Sequence, residues 1–183
     1  MKRIIALAMV IAIAFLSGCT TKLQNFSNNQ KLEPDNSNGI VVIAYESDTA
    51  IYSLTFSGPG NYELEHTLYD DNHNFVVTSI PAGTYDITKV KIISKYQYIP
   101  LGTNEKANWK VNIEPNKINY IGHFNIENVG RGFIVQIKNS STIAMEFLQK
   151  NFPDLLARYQ LTYSKDGPED AFFDYINKLQ GGK

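Results

Sequence analysis

The residue best suited to chemistry in this chain is Cys19, its only cysteine, which closes the run Leu16-Ser17-Gly18-Cys19. The thiolate is the nucleophilic form of cysteine, and the small side chains of Ser17 and Gly18 let an extended chain enter a peptidase cleft. Other chemistry-bearing residues are dispersed. His66, His73 and His123 lack a second His or Cys at zinc-like spacing, so they read as strand or loop histidines and no metal site is expected. Asp70-x-Asn72-x-Asn74 copies the opening of a calcium loop, but Phe75 replaces the required glycine and Pro81 stands where the bidentate glutamate belongs. That stretch reads as a solvated turn. Glu63/Glu65, Asp70/Asp71 and Glu169/Asp170 are paired carboxylates. The first pair falls on a solvent face, the last serves a helix start, and glycosidic chemistry would need two carboxylates facing across a cleft. There is no G-x-S-x-G, and Gly130-Arg131-Gly132 is not followed by a helix carrying lysine, so no phosphate cradle or cofactor motif is present. No catalytic residue is assigned. Tyr96, Tyr98 and Trp109, around Pro100-Leu101-Gly102, are candidates for a binding platform for sugar rings or a partner's side chains; packing in the core is the competing reading.

The segment before Cys19 gives its thiol a context. Lys2 and Arg3 precede an unbroken apolar run from Ile4 to Leu16, the make-up of a signal-peptide leader. A membrane-spanning helix needs ~20 apolar residues, and polar residues begin at Thr20. Leu16-Ser17-Gly18-Cys19 resembles the lipobox of bacterial lipoproteins. The resemblance implies cleavage between Gly18 and Cys19, attack of the Cys19 thiolate on a diacylglyceryl donor, and an acylated N-terminus at Cys19. Each buried methylene contributes ~0.8 kcal/mol, so two or three chains anchor stably where one does not. The implied location is the bacterial envelope, and the outer membrane in a Gram-negative host, because Thr20 rather than aspartate follows the cysteine.

Removing residues 1–18 takes away Lys2 and Arg3, leaving 15 of the 17 basic residues against 18 acidic ones, a net charge of −3. That balance gives no electrostatic case for a nucleic-acid partner, which needs a clustered basic face. With the single cysteine acylated, no disulfide forms within the mature chain, so the fold rests on its core. Eleven tyrosines and ten phenylalanines, with many Ile, Val and Thr, favour strands.

Four segments are expected. Residues 1–18 are the leader. Residues 19–38 are the acylated N-terminus and a flexible tether, because an Asn/Ser/Lys/Gln-rich stretch buries too little surface to offset its ordering entropy. Residues 39–138 are about eight strands. Ile40–Tyr45 reads as a strand buried on both faces; Tyr62 and Leu64 face one way and Glu63 and Glu65 the other; Tyr85/Ile87 and Val90/Ile92 alternate in opposite phases, which predicts a bulge near Thr88-Lys89. Residues 139–183 form a helical segment, with Thr142 as N-cap, a second start at Asp166–Asp170 and a stripe of Phe172, Phe173, Ile176 and Leu179 that docks on the sandwich or binds a partner.

Pro81-x-Gly83-x-Tyr85 and Pro115-Asn116 followed by Tyr120-Ile121-Gly122 resemble turns of envelope lipoproteins with a prealbumin-like, carboxypeptidase-regulatory-like β-sandwich, with Asn116 where that family favours glycine. The resemblance implies an antiparallel sandwich and an accessory or binding module, and transfers no functional residues. The expected protein is mainly β with a C-terminal helical segment, lipid-anchored and non-catalytic, with an envelope protein or glycan as partner. The competing functions are an envelope enzyme or inhibitor acting on peptidoglycan or protein, and a structural lipoprotein.

Overall fold

The run Ile40–Tyr45 sets the architecture. In a strand, alternate side chains point to opposite faces, and here both sets are apolar. Val41, Ile43 and Tyr45 enter one core cluster while Ile40, Val42 and Ala44 enter another. This strand must therefore lie in a middle layer with a cover on each side. The computed structural model describes residues 20–26, 32, 36–47, 49–65, 74–92, 97–102, 109–165 and 170, and it places the strand there. The leader with Gly18 and Cys19, Tyr96, His66, His73, the Asp70–His73 turn and the Phe172–Leu179 stripe lie outside the described residues.

In chain order the strands are β1 (Thr20–Leu23), β2 (Asn38–Ser47), β3 (Ile51–Ser57), β4 (Asn61–Glu65), β5 (Asn74–Pro81), β6 (Gly83–Ile92), β7 (Gln97–Pro100), β8 (Lys110–Ile113), β9 (Ile118–Asn128), β10 (Phe133–Lys138) and β11 (Leu161–Tyr163). Helices α1 (Ser141–Asn151) and α2 (Pro153–Arg158) precede β11. One sheet runs β1-β4-β3-β6-β7 with β8 also on β6; the other runs β10-β9-β2-β5 with β11 also on β9. Leu54, Phe56, Leu64, Tyr85, Ile87 and Val90 of the first sheet meet Val41, Ile43, Val76, Phe124 and Ile126 of the second. The other face of the second sheet is covered by Ala144, Leu148, Phe152 and Leu155 of the helical segment, and Phe147 stacks on Phe75 with centroids 4.1 Å apart.

The fold is thus mainly β, with two packed sheets and helices on one of them. The pairing is mixed rather than antiparallel throughout: β1/β4, β2/β9 and β9/β11 are parallel. Sequence patterns specify faces, and a strand buried on both faces suits parallel neighbours beneath a helical layer, but partners along the chain carry no local signature.

Part of the expected flexible tether is fixed on the sheets. Thr20–Leu23 is a strand on the edge of β4. Farther along, the Phe26 N–H donates to Val77 O (2.8 Å), the Val77 N–H donates to Asn25 Oδ1 (3.0 Å), and Leu32 is buried against the helical layer. The composition argument weighs side-chain burial alone. Thr20–Phe26 is held mostly through the edge backbone groups of β4 and β5, which a sheet edge offers to any extended chain.

Thr142 does not cap the first helix. Helix α1 begins at Ser141 after Ser140, and Thr142 is inside its first turn. The Thr142 N–H donates to the buried Asp170 carboxylate at 2.8 Å, so a residue read as opening a later helix supplies this helix's N-terminal acceptor.

Candidate functional site

The site grows out of the Thr88 bulge. Thr55 aligns with Lys89 and Phe56 with Ile87, so Thr88 is the extra residue in β6. The insertion reverses the phase and lets Tyr85, Ile87, Val90 and Ile92 all face the core. It also splits the outer edge of β6. Residues Gly83–Asp86 pair with β8 and Lys89–Ile92 with β7. At the split the Leu101 N–H donates to Thr88 O and the Ile87 N–H donates to Trp109 O, both at 2.9 Å.

Between the diverging strands lies a notch of about 310 Å³, lined by Asp86, Ile87, Thr88, Leu101, Gly102, Trp109 and Lys110. Leu101 and Trp109 have one side in the inter-sheet core, which fixes the indole while leaving part of it exposed. Gly102 takes φ 78° beside that indole. The Cα atoms of Asp86 and Lys110 are cross-strand partners, so a carboxylate and an ammonium group stand at one rim. The chemistry available is an aromatic surface with a carboxylate and an ammonium group at its rim, able to bond a polar ligand with an apolar face; the Thr88 hydroxyl donates to Thr55 O at 3.4 Å. Among the described residues that line the notch, Asp86 is the one carboxylate.

Trp109 and the Leu101-Gly102 turn are therefore brought together as the sequence suggests. Tyr98 is not in the notch. It stands 59% exposed on the adjacent outer face of β7 with the Lys89 ammonium 5.3 Å from its ring centroid. Tyr96 is outside the described residues. Asp86, Thr88 and Lys110 escaped sequence reasoning, although the phase reversal at Thr88-Lys89 marked the place.

The rest of that outer face is tied up internally. Glu63 accepts hydrogen bonds from Lys91 Nζ (2.6 Å) and Ser53 Oγ (2.7 Å). Burial pushes the Glu63 carboxyl up, but those hydrogen bonds and the nearby Lys91 charge outweigh it and hold it below its ordinary value. Lys22 pairs with Glu65 at 2.7 Å. Glu63/Glu65 is thus an ion-paired surface rather than an acid–base couple. His123 lies half-buried on β9, and desolvation lowers its pKa, favouring the neutral ring. Among the described residues no three His, Cys, Asp or Glu side chains gather to hold a metal ion, and no helix is long and apolar enough to cross a membrane. A larger, more open depression beside α1 and α2, about 420 Å³ with Met145, Leu156, Tyr159 and Leu161 in its wall, has no charged side chain among its described lining residues.

These features define a mainly β domain with a polar and aromatic notch at a sheet bulge. No family model, curated protein or solved structure matches the chain.

Proposed function

We propose that this chain is a lipid-anchored bacterial envelope protein whose β domain is a non-catalytic interaction module for a glycan or a protein. The anchor reading is carried by Leu16-Ser17-Gly18-Cys19 behind a basic, apolar leader. The module reading is supported by the notch, where an indole edge beside a carboxylate and an ammonium group suits recognition. The finer fold reading is a prealbumin-like sandwich. Two turns support it: Tyr85 OH donates to Pro81 O at 2.9 Å, closing the Pro81-x-Gly83-x-Tyr85 motif, and Asn116 takes φ 54°, the left-handed conformation for which glycine is favoured. The three parallel pairings depart from it.

Two experiments test the proposal. Cys19→Ala should leave a precursor that keeps its leader or fractionates away from the envelope; a mature, lipid-modified membrane protein from that variant would refute the anchor. Crosslinking in the native envelope, with the acylated protein as bait, should yield a discrete protein or glycan adduct that Trp109→Ala removes. A hydrolytic activity abolished by one point substitution would overturn the non-catalytic reading.

A further inference from the structure

Because Thr20 opens a strand, an acylated chain would meet its membrane at close range. Thr20 pairs with Asn61 at the first position of β1, and consecutive Cα atoms are about 3.8 Å apart. The acylated residue would therefore be one peptide bond from the sheet. A free tether over residues 20–38 would give a root-mean-square reach of roughly 25 Å; here Thr20–Leu23 pairs with β4, Asn25 and Phe26 bond to β5, and Leu32 packs against the helical layer. We infer that the lipid on Cys19 seats the domain directly on the bilayer, with the end formed by the β3–β4, β5–β6 and β8–β9 turns against the headgroups. This rests on the lipoprotein reading and adds the surface that meets the lipid.

The sheet registers define that end. β1 and β4 both begin there, β3 finishes there at Ser57, Asn38 of β2 aligns with Pro81, and Gly83 aligns with Ile113. The turns also touch. A Cβ on Gly83 would lie 2.6 Å from the Pro59 ring, and the Asn116 N–H donates to Asn38 O at 3.2 Å. Across Ser57–Asn61, Pro81–Gly83 and Glu114–Lys117 the charged residues are Glu114 and Lys117, which pair with each other at 2.6 Å. These three turns are together neutral and polar, and an anionic headgroup layer would repel net negative ones. The β9–β10 hairpin is at the opposite end. From Ile118 to Asn128, β9 climbs about 30 Å at the usual rise per strand residue.

The test uses the full acylated protein in phosphatidylethanolamine/phosphatidylglycerol vesicles containing a headgroup-nitroxide lipid. Acylation blocks Cys19, so a fluorophore can be placed through Ala82→Cys at the membrane end or Val129→Cys at the far hairpin. The Ala82→Cys label should be quenched several-fold more than the Val129→Cys label. Inserting about twenty Gly/Ser residues between Cys19 and Thr20 should bring the ratio towards one, since a flexible linker restores independent tumbling. Equal quenching without the insertion, or a ratio that the insertion leaves unchanged, would overturn the inference. Mass analysis of the N-terminal peptide separates the two levels. Acylated protein with equal quenching defeats the seating alone, whereas an unmodified Cys19 defeats the lipoprotein reading as well.

Discussion

Strands β6 and β9 solve the same problem with opposite results. Each is the long strand of its sheet, each carries a bulge, and each is flanked on one side by two short strands that meet near that bulge: β8 and β7 on β6, β11 and β10 on β9. In β9 the extra residue falls at Ile121-Gly122, opposite Ile43. Before it, Ile118 and Tyr120 face the helices; after it, Phe124 and Ile126 face the other sheet. Without that shift, His123 and Asn125 would point into the inter-sheet core. The β9 gap is closed, because Ile137 packs where a Gly122 side chain would go and the Ser164 N–H donates to Tyr120 O at 2.9 Å. The β6 gap stays open and becomes the notch. A bulge therefore serves packing or recognition according to what fills the space beside it, since the backbone device is the same.

The largest expected effect comes from filling the closed gap. Gly122 has φ 116°, and a Cβ there would strike Ile137. Gly122→Ala should cost about 1–3 kcal/mol in backbone strain and a similar amount in overpacking, read as a fall in the urea midpoint. At Thr88, on the open bulge, Thr88→Ala should shift that midpoint by less than about 1 kcal/mol. Equal losses at the two positions would break the comparison.

Asn119→Ala comes next. This fully buried side chain accepts from the Glu114 N–H and Ser164 Oγ and donates to the carbonyls of Ile40, Glu114 and Lys117. It joins the β8–β9 turn to β2 and to the residue after β11. Orphaning those groups should cost about 2–4 kcal/mol in chemical denaturation, at the upper end for a single site because several partners are lost. A loss below about 1 kcal/mol would mean the turn stands without it.

The notch should tolerate more. Trp109→Ala should remove about 1–2 kcal/mol of stability, less than the 3–5 typical of a fully buried tryptophan, because only part of the ring is in the core. Tyr98→Ala should cost under about 0.5 kcal/mol as an exposed side chain. If both weaken crosslinking equally, recognition extends across the outer face of β7 rather than staying in the notch.

The smallest effect is acid dependence at Glu63. Its folded carboxyl is held below its ordinary value. Its contribution is therefore complete above the unfolded pKa and fades as pH falls through the folded one. Glu63→Gln should lower stability at neutral pH and flatten the acid limb of a stability–pH curve. A variant whose acid limb is as steep as the parent's would place that dependence elsewhere.

Local patterning determined a good deal. The two apolar faces of Ile40–Tyr45 required a middle strand, the phase reversal at Thr88-Lys89 located the bulge, and the alternation of Tyr62–Glu65 separated core from surface. These are properties of side-chain period, which a chain carries in its own order. Tertiary structure alone decided which strands lie side by side, that Thr20–Leu23 and Phe26 bind sheet edges instead of floating, that Leu161–Tyr163 adds a parallel strand to β9, and that Asp170 reaches back to Thr142. Each depends on backbone donors and acceptors meeting across long sequence separations, and every residue carries the same backbone groups. The notch belongs with these. Trp109 was legible as a candidate, but its setting with Asp86 and Thr88 exists only where β7 and β8 part company on either side of one inserted residue.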